Sequence, residues 1–93
     1  MRGVAVLGST GSIGRSTLAV LGRQREHFRV VALTAGRNAS LFDLQRAEWA
    51  PEFAGLAEVT GASRLPSGPG VLIEAATHPS VDIVVNAVVG AAG

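Results

Sequence analysis

The fold is decided by one stretch near the start of the chain, Val4-Ala5-Val6-Leu7-Gly8-Ser9-Thr10-Gly11-Ser12-Ile13-Gly14. Its first four residues are apolar, as in a strand that is buried on both faces of a parallel sheet. Three glycines then follow at intervals of three, and a helical pattern begins at Ser12. A strand, a glycine loop and a helix in this order predict a dinucleotide-binding unit, because the amino end of such a helix attracts phosphate.

The helix after the loop is predicted to run from Ser12 to about Arg25. Its apolar positions step around the helix at intervals of four, three and one, which predicts a single inward face. Those positions are Ile13, Thr17 (by its methyl group), Val20 and Leu21.

The rest of the chain alternates strand and helix. Residues 29–35 predict a second strand. Ser40, three residues before Asp43, predicts the start of a second helix, which should end near Trp49 because Pro51 follows. A weak strand at 53–59, a loop at 60–70, a short helix at 71–77 and a strand at 82–89 complete the pattern. This alternation predicts an α/β, Rossmann-like domain with a parallel sheet. We expect it to be incomplete at its C-terminal end, since another helix should follow the last strand.

Composition excludes several classes of protein. The 93 residues suffice for one domain. The net charge is +1 and the eight arginines are scattered, so nothing indicates nucleic-acid binding. The chain has no cysteine, which excludes disulfides and a thiolate nucleophile. It has no apolar run of about 20 residues, so we expect a cytoplasmic protein without a membrane span. His27 and His78 lack an acidic partner at suggestive spacing, and no catalytic or metal site is predicted.

Each glycine of the loop has a predicted task. Gly8 lets the chain turn sharply out of the strand, Gly11 leaves space for a pyrophosphate, and Gly14 lets the helix lie close to the strand. The amides of residues 10–13 would face the anion, with hydroxyl donors from Thr10 and Ser12. No lysine followed by serine or threonine ends the loop, so it is not an ATP-binding P-loop. The alternative is a turn that only packs a helix against a strand.

The end of the second strand predicts which cofactor binds. NAD-binding proteins carry an acidic residue about 20 positions beyond the loop. Here the sequence is Ala35-Gly36-Arg37-Asn38, with no acid before Asp43. Arg37 can form charge-assisted hydrogen bonds to a 2′-phosphate, helped by Asn38 and the Gly36 amide, so NADP(H) is preferred. The alternative is an ordinary solvated arginine in a polar turn.

Four segments together resemble the 1-deoxy-D-xylulose 5-phosphate reductoisomerase family. They are residues 7–14 with Ser16-Thr17-Leu18, residues 27–33, residues 35–38, and the close of the chain from Asp82 to the Val-Gly-Ala-Ala-Gly of 89–93. Two features depart from the family. Residues 58–70 form a short stretch rich in glycine and proline, and Arg37 stands where lysine or a smaller residue is also common.

The resemblance implies roles for named residues. Thr10, Gly11, Ser12 and Ile13 would bind the pyrophosphate of NADPH, next to Gly8 in the same loop. Gly36, Arg37 and Asn38 would bind the 2′-phosphate end. Ala87 and Val88 would lie near the nicotinamide half.

The resemblance also implies that residues 1–93 are an N-terminal dinucleotide-binding domain without the catalytic and C-terminal domains. The full-length enzyme would be a homodimer. It would use NADPH and Mg²⁺ or Mn²⁺ to convert 1-deoxy-D-xylulose 5-phosphate into 2-C-methyl-D-erythritol 4-phosphate, in isoprenoid biosynthesis by the non-mevalonate pathway. The metal ligands would lie outside this sequence, and the 93 residues alone would be inactive. Two alternatives stay open: the NADP-binding domain of another dehydrogenase, and a stand-alone nucleotide-sensing module.

Overall fold

The computed structural model describes residues 1–36, 38–58 and 65–88. Strands and helices alternate through these segments, as the sequence predicts. The elements are β1 (Arg2–Leu7), α1 (Ser12–Gly22), β2 (Phe28–Ala35), α2 (Ala39–Trp49), β3 (Phe53–Leu56), α3 (Gly70–Ala76) and β4 (Ile83–Asn86). Among the described segments, no helix combines the length and apolar character that a membrane crossing requires.

The four strands form one parallel sheet in the order β3-β2-β1-β4. The chain therefore moves outward from β1 to β3 and then crosses to the other side of β1 to form β4. Leu7, the last residue of β1, is in register with Thr34 of β2 and Asn86 of β4. The carboxyl ends of these strands thus meet at one edge, where α/β proteins bind ligands at the reversal of strand order. The predicted Rossmann-like α/β fold is confirmed.

Helices cover both faces of the sheet. On one face, Leu18 and Leu21 of α1 and Phe42 of α2 pack with buried side chains of β1 and β2. On the other face, Ala75 of α3 packs with Ala5, Leu7 and Ala32. Burial on both faces explains why the sequences of β1 and β2 are continuous apolar runs rather than alternating patterns.

The inward face predicted for α1 is wrong apart from Leu21. The buried residues of α1 are Gly14, Leu18 and Leu21, whereas Ile13 is 49% exposed and Val20 is 57% exposed. The reason is that the helix approaches β1 through a glycine, which a count of apolar residues does not register. The helix also ends at Gly22, three residues earlier than predicted.

The start of α2 also differs from the prediction. Asn38 is the N-cap, since its Oδ1 accepts a hydrogen bond from the Leu41 amide at 3.2 Å, and Ser40 lies inside the helix. The predicted end near Trp49 is confirmed. Ala50 there adopts a left-handed conformation with φ 45° immediately before Pro51.

The remaining predicted elements are all present with shifted limits. β3 ends at Leu56 instead of residue 59, α3 spans Gly70–Ala76 instead of 71–77, and β4 is limited to Ile83–Asn86. Asp82 precedes β4, where its Oδ2 accepts a hydrogen bond from the Gly3 amide at 2.9 Å. The predicted strand end at residue 89, and the Val-Gly-Ala-Ala-Gly close, lie outside the described residues.

Candidate functional site

The glycine loop leaves β1 by a turn that requires glycine at its first position. Gly8 has φ +81°, and a Cβ placed there would lie 3.0 Å from the carbonyl of Ala87. Only glycine adopts this conformation without strain. The amides of Gly8 and Ser9 both donate to the Thr34 carbonyl oxygen, at 2.9 and 2.8 Å. The loop is therefore fixed at its base between β2 and the segment after β4.

Gly14 and Gly11 differ in their surroundings, as their predicted tasks require. A Cβ on Gly14 would overlap the Gly8 carbonyl oxygen and lie 2.7 Å from the Cα of Ser9. This confirms the predicted close approach of α1 to the end of β1. A Cβ on Gly11 would find only the Gly8 oxygen nearby, at 3.7 Å. The side of Gly11 where a side chain would stand is therefore open space.

The amino end of α1 presents unused hydrogen-bond donors. The Gly11 amide donates to the Gly8 carbonyl oxygen at 3.3 Å. In contrast, the amides of Thr10, Ser12, Ile13 and Gly14 donate to no other described residue. The N-cap Gly11 offers no side chain, and the first turn carries no acidic residue. The partial positive charge at the start of α1 is therefore unneutralised within the described residues.

A cavity of about 670 Å³ opens beside this loop at the carboxyl edge of the sheet. Gly8, Thr10 and Gly11 line it from the loop, and the end of β2 contributes a second side. The segment after β4 forms a third side. It is held there by the Ala87 amide, which donates to the Leu7 oxygen at 2.8 Å, and by the Val88 amide, which donates to Asn86 Oδ1 at 3.1 Å. The other lining residues are Thr34, Ala35, Gly36, Ala57, Glu58, Pro69, Leu72, Ala87 and Val88.

Four of the eight predicted cofactor-binding residues, Gly8, Thr10, Gly11 and Gly36, line the cavity. Ser12 and Ile13 begin α1 with exposed side chains, which border a shallow depression on the outer side of that helix. Asn38 uses its Oδ1 to cap α2. Arg37 lies outside the described residues.

A buried pair that was not predicted from the sequence supports the loop. Ser9 is fully buried, and its Oγ donates to Gln45 Oε1 of α2 at 2.7 Å. Gln45 Nε2 in turn donates to the Ser9 carbonyl oxygen at 2.8 Å. A signal existed in the sequence, because Gln45 stands three residues after the buried Phe42 and so shares its helix face.

A second missed residue is acidic. Glu58, which follows β3, lines the cavity, and its amide donates to the Gly36 carbonyl oxygen at 3.2 Å. A Cβ on Gly36 would lie 3.6 Å from Glu58 Oε2, so this carboxylate is close to the end of β2. No acid follows β2 in the sequence before Asp43, but the structure brings the carboxylate of Glu58 there from the end of β3.

Among the described residues, the other ionisable side chains do not assemble into a second site. His78 Nε2 lies 3.9 Å from Glu52, which also pairs with Arg29 at 2.7 Å at the amino end of the sheet. His27 is exposed and lies 4.0 Å from Glu26. Within residues 1–36, 38–58 and 65–88, no three histidine, aspartate or glutamate side chains are grouped so that they could hold a metal ion.

Comparison with known proteins gives a consistent result. The sequence profile of the 1-deoxy-D-xylulose 5-phosphate reductoisomerase family matches residues 4–93. The enzyme of that name from Thermomicrobium roseum is 47% identical over 96 residues, which covers 98% of this chain and 25% of the relative. The one from Glaesserella parasuis is 38% identical over 106 residues, covering 100% of this chain and 27% of the relative. Both alignments are longer than the 93-residue chain, so each contains gaps in this chain.

Solved structures agree with this assignment. A crystal structure of DOX-P reductoisomerase in complex with NADPH, fosmidomycin and magnesium superposes with a TM-score of 0.85 at 35% identity, covering 99% of this chain and 26% of that one. The 1-deoxy-D-xylulose 5-phosphate reductoisomerase from Zymomonas mobilis in complex with NADPH gives a TM-score of 0.61 at 34% identity, over 89% of this chain and 20% of that one. The chain spans about a quarter of the length of the curated relatives it matches. By sequence and by fold, the chain belongs to the 1-deoxy-D-xylulose 5-phosphate reductoisomerase family.

Proposed function

We propose that the chain binds NADPH in the cavity at the carboxyl edge of the sheet. One observation carries the proposal: the unused amides at the start of α1 adjoin a cavity that the glycine loop itself lines, with open space at Gly11. Backbone amides at a helix amino end bind phosphate through hydrogen bonds and through the helix dipole. Two solved relatives are complexes with NADPH, which supports the choice of ligand.

The cofactor would extend across the cavity. Amides of Thr10, Ser12 and Ile13 would hold the pyrophosphate, and residues 36–38, with Arg37 as the charged group, would hold the 2′-phosphate. Ala87 and Val88 would contact the nicotinamide half. NADPH itself supplies the hydride, while the protein binds and orients it.

The wider proposal concerns the whole enzyme. Residues 1–93 would be its N-terminal dinucleotide-binding domain. The enzyme would isomerise 1-deoxy-D-xylulose 5-phosphate and reduce it to 2-C-methyl-D-erythritol 4-phosphate, as a cytoplasmic homodimer. Ligands for Mg²⁺ or Mn²⁺ would come from outside this sequence, and the 93 residues alone would bind NADPH without turnover. The wider proposal is contradicted if a longer protein containing this chain is inert with NADPH, metal and substrate together.

A second candidate is NADH, which the position of Glu58 favours. A carboxylate beside the adenosine ribose accepts hydrogen bonds from its hydroxyls and repels a 2′-phosphate. Glu58 lies next to Gly36, where that ribose would be. The two candidates therefore predict opposite nucleotide preferences.

Calorimetric titration of the 93-residue chain with NADPH and with NADH tests both candidates. We expect NADPH to bind more tightly. Arg37→Gln should weaken NADPH binding by about tenfold or more, the effect of one charge-assisted hydrogen bond, with little change for NADH. Arg23→Gln is the matched control, because this exposed arginine is at the opposite end of α1. Tighter binding of NADH would favour the second candidate, and a wild-type chain that binds neither nucleotide would refute the proposal.

A further inference from the structure

The strand β4 ends at the cavity through a hydrogen bond of its own last side chain. Asn86 is the last residue of β4, and its Oδ1 accepts a hydrogen bond from the Val88 amide at 3.1 Å. The oxygen of the side chain faces this amide because a backbone N–H can only donate. An asparagine that binds the amide two residues further on forms a turn, which competes with continuation of the strand. β4 therefore stops at the level where its neighbour β1 stops at Leu7.

The hydrogen bonds between β1 and β4 fix Ala87 but not the residue after it. The Ala87 amide donates to the Leu7 oxygen at 2.8 Å, and the described residues form no further hydrogen bond between the two chain segments beyond it. The glycine loop turns toward β2 at this point, because its first two amides donate to the Thr34 oxygen. The side chain of Asn86 is therefore the one hydrogen-bond partner that the Val88 amide has among the described residues.

The group that Asn86 holds lies directly against the glycine loop. A Cβ on Gly8 would be 3.0 Å from the carbonyl carbon and oxygen of Ala87 and 3.1 Å from the nitrogen of Val88. Ala87 and Val88 both line the cavity. The Ala87 carbonyl oxygen accepts no hydrogen bond from a described residue, so it is available to a ligand. The course of this short segment therefore determines the wall of the cavity on the β4 side.

We propose that Asn86 is a positioning residue: by holding the Val88 amide, it sets the backbone of residues 87 and 88 against the nicotinamide half of the cofactor. The inference rests on the proposed function of the cavity. Nicotinamide carries a carboxamide, whose hydrogen bonds to a backbone depend on placement to within about 1 Å. The adenosine end is proposed to bind at the end of β2, which lies on the other side of β1 from β4. Loss of the Asn86 turn should therefore weaken the nicotinamide contacts and leave the adenosine contacts intact.

The test compares two ligands that differ in the nicotinamide half. NADPH contains it, whereas 2′,5′-ADP has the adenosine and its 2′- and 5′-phosphates alone. Both affinities are measured by calorimetric titration of the 93-residue chain. Asn86→Ala removes the acceptor of the Val88 amide without adding bulk. We expect the affinity for NADPH to fall by about fivefold, the effect of one hydrogen bond, while that for 2′,5′-ADP equals the wild-type value.

Two further variants separate positioning from stability. Asn86→Asp retains an oxygen for the Val88 amide and forms the same turn, so the ratio of the two affinities should return to the wild-type value. Its charge acts on the phosphates that both ligands carry and so cancels in the ratio. The matched control is Asp82→Ala, which removes a hydrogen bond of the same kind, to the Gly3 amide, before the opposite end of β4. This variant should lose stability and keep the wild-type ratio.

The fluorescence of the reduced nicotinamide ring gives a local readout that a purely stabilising role would not move. A ring held closely by the protein is shielded from water, and its emission differs from that of free NADPH. When saturated with NADPH, the wild type and Asp82→Ala should have the same emission spectrum. Asn86→Ala should have a spectrum closer to that of the free cofactor.

The outcomes distinguish this inference from the proposed function. A wild-type chain that binds neither ligand refutes the function. If both ligands bind with equal affinity to the wild type, if Asn86→Ala weakens both equally or neither, or if Asp82→Ala lowers the ratio as much, only the positioning role is refuted. If Asn86→Ala does not fold by circular dichroism, Asn86→Gln decides, because its amide is one carbon further from the backbone and does not close the turn. An unchanged ratio in that variant overturns the inference.

Discussion

A pair of glycine-to-alanine substitutions in the loop measures the close packing of α1 against the end of β1. Gly14→Ala and Gly11→Ala make the same chemical change three residues apart. At Gly14 the new methyl group would overlap the Gly8 carbonyl oxygen and lie 2.9 Å from its carbon. At Gly11 the φ of −75° suits alanine, and the nearest atom would be 3.7 Å away. Stability should therefore fall for one variant and not for the other.

The magnitude follows from two opposing terms at Gly14. Alanine favours a helix interior over glycine by about 1 kcal/mol. Carbon atoms prefer a separation of about 3.5–4.0 Å, so α1 must shift away from β1, and such overpacking costs about 1–3 kcal/mol or more. Backbone atoms form the obstacle and cannot rotate away, so the cost should be at the upper end. We expect a net loss of about 2 kcal/mol, which lowers the Tm by about 10 °C for a domain of this size.

The control variant has the opposite expectation. Gly11→Ala removes freedom from the unfolded chain, which stabilises by about 0.4–1 kcal/mol. Alanine is, however, a poorer N-cap than glycine by a similar amount, so the Tm should stay close to that of the wild type. Its methyl group would, however, occupy the space proposed for the pyrophosphate. NADPH affinity should therefore fall by about tenfold or more while the protein stays folded. Thermal denaturation followed by circular dichroism, combined with NADPH titration, checks both variants. A Gly14→Ala chain as stable as the wild type would show that the contact between α1 and β1 has been misjudged.

Substitutions at three further positions test the fold. Phe42→Ala removes the largest fully buried side chain among the described residues and should lower the free energy of unfolding in urea by about 3–5 kcal/mol. A loss below about 1 kcal/mol would contradict the placement of Phe42. Asp82→Ala should lower the free energy of unfolding by about 1 kcal/mol, because it leaves the Gly3 amide without its acceptor. Asp82→Asn retains an acceptor and should lower it less. Equal losses for the two variants would argue against the hydrogen bond. The Arg25 guanidinium lies 3.9 Å from the centroid of the Trp49 ring. Arg25→Ala should therefore shift the tryptophan fluorescence and lower the free energy of unfolding by at most about 1 kcal/mol. An unaltered emission spectrum would contradict this contact.

The buried face of α1 could not be identified from apolar periodicity alone. Ile13 and Val20 are apolar and seven positions apart, so they indicate an inward face when only hydrophobicity is counted. The structure turns the helix so that Gly14 contacts the backbone of residues 8 and 9. The spacing of the loop glycines predicts the same contact for Gly14. Leu18 and Leu21 are apolar too and lie on the Gly14 side, so the glycine distinguishes the buried apolar set from the exposed one.

The N-cap of α2 and the buried pair of Ser9 and Gln45 were missed for different reasons. Asn38 and Ser40 are both good capping residues, and two positions of difference lie within the ordinary uncertainty of a helix start. The sequence only weakly indicates that Gln45 is buried, because one polar residue on the helix face of a phenylalanine does not reveal its hydrogen-bond partner. Its side chain bonds to Ser9, which only the folded chain brings within 2.7 Å.

The order of the elements, the parallel sheet and the loop that meets α1 are predictable from local patterns of apolar residues and glycine. The buried face of α1, the side chain that supports the loop, and the position of the Glu58 carboxylate beside Gly36 emerge only when the helices pack on the sheet. The physical reason is that apolar periodicity and turn chemistry act over a few neighbouring residues. Backbone contacts and buried polar pairs join residues that only the packing of helices against the sheet brings together.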